Sequence, residues 1–241
     1  MGRCIVTHLI GRDLTKLWKI VNDPTDLHTK SRPYALEIIA NMRFGIGTTK
    51  VEVQHMETDG LGGATTLECP ITAVDDVTYD PLCLDDLRDK VAYWPSKTTF
   101  GGVDGFVLRG VRDGGTSMVS FQVTLAERGH PLPLSVIKAI RDKVGADVAI
   151  HVVFCVPTSV SGSYEKAQAL KLPKSLDQDT LTPKQEANEK VQALKLPKSL
   201  SMKTTLTSEQ EAQKAEYESH VRNVFQYRYV LDEGATTWER R

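Results

Sequence analysis

The sequence predicts an α/β domain, and three observations carry that expectation. Segments of helical period and strand-like segments follow one another in the order helix, strands, hairpin, helix, strand. Two apolar runs, VDGFVLRGV and SMVSFQVTL, flank Arg112-Asp113-Gly114-Gly115 within 103–125, which is the pattern of a hairpin. AIHVVFCVP, 149–157, is a continuous apolar run closed by a proline, as expected of a buried strand. With 241 residues, 40% hydrophobic and 25% charged, the chain can bury one sizeable core, or one core plus an appendage, and is too rich in apolar residues for wholesale disorder.

Taken in order, residues 14–22 are expected to form a short helix, because Leu14, Leu17, Trp18 and Val21 fall on one face. A second helix spans about 31–43, SRPYALEIIANMR, with Ser31 as its N-cap, Pro33 in the first turn and Gly45 just past its end; Leu36, Ile39 and Ala40 face a core. β-Branched residues mark strands at about 49–55 and 65–75. LCLDDLRDKV reads as a short helix ending near Val91. The two runs of the hairpin are apolar on both faces, so they are expected to be central strands covered from two sides. A helix over about 134–144 carries Val136, Ile137, Ile140 and Val144 on one face, and VFQYRYVL, 224–231, is a strand returning to the sheet.

After Pro157 the composition changes. Residues 165–188 recur with few changes at 189–213, a tandem duplication of about 24 residues whose period suggests two helix–loop units. Thr182-Pro183-Lys184-Gln185 and Thr207-Ser208-Glu209-Gln210 both fit a capping box. Two repeats are too few for a self-supporting solenoid, so the segment reads as a surface insertion copied once. The expected organisation is an α/β core formed by 1–157 plus 221–234, a duplicated helical insertion at 163–218, and a tail at 235–241.

The formal net charge is -1, so any polyanion-binding surface must be a local patch. Cys4, Cys69, Cys83 and Cys155 are scattered without zinc-type or disulfide spacing and read as reduced thiols. Arg3, Arg12 and Asp13 interrupt the first residues, which lack a signal-like apolar region, and no stretch approaches the roughly 20 apolar residues of a membrane span. An intracellular protein with no membrane partner is expected.

A nuclease of one domain gathers carboxylates around a divalent cation, which activates water and neutralises charge on the phosphate. Asp104 opens the first strand of the hairpin, and Gln122 and Thr124, two apart on the second, share a face by strand alternation. With a three-residue loop, 113–115, Asp104 lies opposite Thr124 and Phe106 opposite Gln122, and the polar groups meet on one face; a two-residue loop would put Asp104 on the other side and dissolve the site. Glu37 becomes a fourth member if its helix packs across the open end of the hairpin.

Tyr93-Trp94-Pro95, Phe100, Val103-Asp104-Gly105-Phe106, Phe121-Gln122-Val123-Thr124 and His130-Pro131 resemble, in this order, the core signature of the nuclease-like domain of Crinkler and retrotransposon hot spot (RHS) proteins. The runs 152–157 and 226–231 are similar to that family's last strands, and Leu36-Glu37 matches its helical Phe-Glu position, so the resemblance covers about 31–157 and 221–232. It implies a restriction-endonuclease-like core, a central mixed sheet with a hairpin flanked by helices and here carrying the helical repeat insertion. It also implies Mg2+ held at Glu37 and Asp104 with Gln122 as a further contact, DNA as partner, and a nuclear location in the protein's own cell or, as for an effector, in a host cell. Related active nucleases carry an acid where Gln122 stands and lysine where Thr124 stands. The P-loop NTPase module that often accompanies the domain has no counterpart, Gly45-Ile46-Gly47-Thr48-Thr49-Lys50 being a superficial echo.

Each candidate also has a plainer reading. Asp104 is equally a hairpin-end aspartate satisfied by backbone amides, and Glu37 by itself reads as a solvated helix residue. Gln122, if buried, needs a partner and marks a pocket or an internal polar pair. His130 reads first as a helix-entry residue and second as a phosphate or proton contact. Arg109, Arg112, Arg128 and Lys138 could form a local phosphate-binding patch, while Lys166, Lys171, Lys174, Lys190, Lys195 and Lys198 read as a solvated face. Two function classes are expected: Mg2+-dependent phosphodiester hydrolysis, or a degenerate module that binds nucleic acid or protein.

Overall fold

The structure, a computed structural model, describes residues 13–23, 25, 31–77, 88–95, 103–110, 117–127, 132–133, 137–138, 141–142, 145, 147–168, 170–171, 212, 215, 219 and 221–233. Their elements are helices α1 (Leu14–Asn22) and α2 (Arg32–Arg43), strands β1 (Lys50–Met56), β2 (Leu61–Glu68), β3 (Ala73–Val77), β4 (Val91–Pro95), β5 (Gly105–Arg109), β6 (Ser117–Val123), β7 (Leu132–Pro133) and β8 (Ala149–Pro157), a 3-10 helix (Thr158–Tyr164), then β9 (Leu170–Lys171) and β10 (Val224–Leu231). The first helix begins where Asp13 accepts from the amide of Lys16, a side-chain cap for an otherwise unpaired donor. The second starts without one: Ser31 is itself helical in backbone, makes no side-chain cap, and leaves entry to the proline of the first turn.

Eight strands form one mixed sheet in the order β2-β1-β10-β8-β6-β5-β4-β3, and β7 and β9 pair separately. Strands β4, β5 and β6 run as an antiparallel meander, β8 lies parallel to β6, and β10 lies parallel to β8 and antiparallel to β1. The strand expected at 224–231 thus returns to the middle of the sheet rather than to its edge.

Alternation along these strands divides the core in two. On one face Val107, Val119, Phe121, Val153, Cys155, Tyr227 and Leu231 pack under the helices through Leu17, Trp18, Val21, Leu36, Ile39 and Phe44. On the other, Phe106, Leu108, Met118, Val152, Phe154 and Val156 pack with Ile137 and Tyr164. Full burial of an aliphatic or aromatic side chain contributes about 1.5–3 kcal/mol, so both faces are substantial stabilising surfaces. The expectation of central strands covered from two sides is met. An aromatic column joins helix to sheet: Phe44 stacks on Phe121 at 4.2 Å and Trp94 flanks Phe121 at 5.9 Å. Arg43 donates to the Tyr229 hydroxyl at 2.7 Å.

The sheet is strongly curled. Arg109, at the end of β5, donates to the carbonyl of Glu68, at the end of β2, at 3.4 Å, although four strands separate β2 from β5 in the order. Residues 69–72 carry the chain from β2 toward β3, and Cys69 and Ile71 join the helix-covered core on the way.

Three local expectations are corrected. The run 65–75 is two strands rather than one, because the chain leaves β2 at Cys69-Pro70, where proline has no amide to donate, and then joins β4 as β3. Val91 opens β4 instead of closing a helix, after Lys90 turns the chain with φ 63°. In the hairpin, pairing runs from Gly105↔Phe121 to Arg109↔Ser117, which continues to Asp104 opposite Gln122, two residues from the expected Thr124. The cause is Gly110, whose φ of 72° ends β5 early and lengthens the connection to 110–116. The turn expected at Arg112-Asp113-Gly114-Gly115 falls outside the described residues, as do most of the duplicated segment and the tail. At the start of that segment Gln226 holds Gln168 as a strand neighbour would, accepting from its amide at 2.7 Å and donating to its carbonyl at 2.8 Å.

Candidate functional site

One end of the β5–β6 hairpin gathers three of the residues that the sequence singles out. Asp104 stands in the bend before β5, half-buried, and its Oδ2 accepts the Val123 amide at 2.6 Å, while its own amide donates to the Phe121 carbonyl at 2.8 Å. This is the hairpin-end role, a carboxylate tying the strand ends together through backbone. The carboxylate also lies near enough to Cys155 to act on it: burial pushes that thiol well above its ordinary range, and the negative charge of Asp104 adds to the effect.

Gln122 lies on β6 on the face of Met118 and Phe154, where it is only 3% exposed. Its Oε1 is buried without a hydrogen-bond partner. An unsatisfied buried acceptor costs roughly 1–3 kcal/mol, so this amide is the energetic anomaly of the strand. Thr124, 8% exposed, is fully occupied by comparison. Its amide donates to the Cys155 carbonyl at 3.1 Å, extending the β6–β8 ladder by one residue. Its Oγ1 accepts the Ala126 amide at 3.0 Å, and the Tyr164 hydroxyl stands 3.4 Å from the same oxygen.

Tyr164 is the member that sequence reasoning missed. Fully buried at the end of the 3-10 helix, it donates to the Ala126 carbonyl at 3.2 Å and packs on Phe154. Burial raises its phenol above the usual value, against the smaller opposite effect of the Thr124 hydrogen bond. TSVSGSY carries no periodic signal, and only the apolar run ending at Pro157 hints that the residues after it must fold back over that strand.

The other candidates stand apart from this end. Glu37 is half-buried on α2, between core residues Leu36 and Ile39 on the opposite face of the sheet from Gln122. Arg109 is exposed at the far end of β5 from Asp104. Lys138 is an exposed helical residue next to buried Ile137. Arg112, Arg128 and His130 lie outside the described residues.

A hard cation such as Mg2+ takes about six oxygens in near-octahedral geometry and favours anionic ones. The hairpin end supplies a carboxylate with one oxygen engaged by an amide, a neutral side-chain amide and a hydroxyl already held by backbone, and this donor set does not fit Mg2+. Among the described residues no three of His, Cys, Asp and Glu come together as a metal-holding group. Nor is any helix among them long and apolar enough to cross a membrane. Comparison with known proteins supplies no relative: no family model, no curated protein and no solved structure matches the chain.

Proposed function

We propose that the chain is a degenerate nuclease-like module of Crinkler/RHS type that engages nucleic acid without cleaving it. The observation that carries this reading is the state of the hairpin end, where each group that would serve catalysis serves the fold or lacks charge. Asp104 closes the hairpin through Val123, Thr124 is locked by Ala126 and Tyr164, and Gln122 is buried and neutral. Without a cation at the Thr124 position nothing in this group offsets charge developing on a phosphate. The mixed sheet with the hairpin near its centre and helices against one face supports the restriction-endonuclease-like reading of the core.

Hydrolysis is kept as a second reading by one feature, the unpartnered Oε1 of Gln122, a residue opposite Asp104 when the hairpin register is continued. Incubation of the folded chain with plasmid and labelled oligonucleotides in Mg2+ or Mn2+ separates the two. Bound but intact DNA is the expected result. Cleavage that disappears with Asp104→Ala would replace this reading by the hydrolytic one, and failure to bind any duplex or single strand would remove both. A nuclear location, in the protein's own cell or a host's, belongs to the same proposal and is checked by imaging the tagged chain.

A further inference from the structure

The helix-covered face of the sheet is not covered to its lower end. There β10 extends past its registered pairing with β1 and leaves Phe225 38% exposed, with β8 beside it. Phe225 stacks on the imidazole of His151, its cross-strand neighbour on β8, at 5.3 Å and 20°. His151 in turn lies 3.2 Å through Nδ1 from the Tyr227 hydroxyl, and Tyr227 meets the ring of His55 at 5.2 Å. Four rings therefore form a continuous aromatic surface whose outermost member faces solvent.

Charge around this surface is lopsided. Arg109 is exposed on the same face, three strand spacings from Phe225, roughly 14 Å, and its guanidinium is held by the Glu68 carbonyl. It reaches His151 electrostatically: burial first, then Arg109, holds that imidazole below its usual range, so the stacked ring is neutral at pH 7. On the other flank Glu57 pairs with His55 at 3.5 Å. Between these two charges, an anion is favoured on the Arg109 side.

We infer that this corner is a stacking site for single-stranded nucleic acid, a base lying on Phe225, which His151 backs, with a phosphate further along the strand drawn to Arg109. Every base has a π-face, and an aromatic platform beside a cation reads strand rather than sequence. A duplex, whose bases are already stacked on one another, offers nothing to Phe225. The inference rests on the nucleic-acid-binding reading above and adds to it the place and the strandedness.

The test is fluorescence anisotropy of labelled oligo-dT, oligo-rU and a duplex of equal length against the full chain, Phe225→Leu, Phe225→Tyr and Arg109→Gln. Phe225→Leu is expected to weaken single-strand binding on the order of tenfold, Phe225→Tyr to restore it, and duplex binding to be unchanged in both. Arg109→Gln should flatten the salt dependence of single-strand binding by about one phosphate contact. The dT and rU arms tell whether the strand is DNA or RNA. Single-strand binding that is unchanged in Phe225→Leu, in protein with wild-type circular dichroism, overturns the stacking site and leaves the nucleic-acid reading standing. A wild-type chain that binds no oligonucleotide overturns both.

Discussion

Gln122 is where a single residue tests the whole reading. Its side chain is nearly as long as methionine's, and its Oε1 is buried with no partner. Replacing an unsatisfied polar group by an apolar one of similar shape is neutral or stabilising, whereas breaking a real hydrogen bond costs about 1 kcal/mol and leaves the partner stranded. Gln122→Met is therefore expected to raise the urea midpoint or leave it unchanged, worth up to about 2 kcal/mol, with the same m-value. A loss of more than about 1 kcal/mol would mean the amide is engaged, which would return Gln122 to the set of working site residues. The sequence shows this anomaly plainly, since a glutamine interrupts an otherwise apolar strand. It could not show that Thr124 is locked, because the lock depends on Tyr164, forty positions further on in a segment without periodicity.

At the scale of elements, legibility tracks how much of the signal is local. The strands at 149–157 and 224–231 match expectation to the residue, one a continuous apolar run ended by proline and the other flanked by Asn223, which turns the chain with φ 59°. The hairpin register slips by two because Gly110 reads as strand interior until its left-handed backbone is known. Glycine at 105 has a different purpose. A Cβ there would stand 2.3 Å from Trp94 Cε3 and 2.4 Å from Cζ3, and the indole cannot retreat because it packs on Phe121. Gly105→Ala must push β4 from β5 or turn the indole out of the aromatic column, at roughly 1–3 kcal/mol. Thermal unfolding measures the loss; Gly105→Ala combined with Trp94→Leu, which vacates the indole's space, should behave nearly as Trp94→Leu alone. Full additivity of the two substitutions would show that the clash is not what the glycine avoids.

For the molecule as a whole, the strand order could not be read from the sequence, since nothing local tells β10 to enter between β1 and β8; that position depends on a parallel pairing with β8 and an antiparallel one with β1, both made across long connections. The connection from β9 to β10 is the longest of these and contains the second copy of the duplication, 189–213. Deleting 189–213 joins Asn188 to Lys214, so Gln185-Glu186-Ala187-Asn188 then stands where Gln210-Glu211-Ala212-Gln213 stood before Lys214. Gln168, held by Gln226, and Val221, packed against the core, both remain. Halving a long connection changes its closure entropy by only about 0.6 kcal/mol, in favour of the shorter chain. The deletion variant should thus unfold cooperatively within about 2 °C of the parent. A markedly lower or broadened transition would mean that the second copy covers part of the sheet, and the duplicated segment would have to be counted as core rather than insertion.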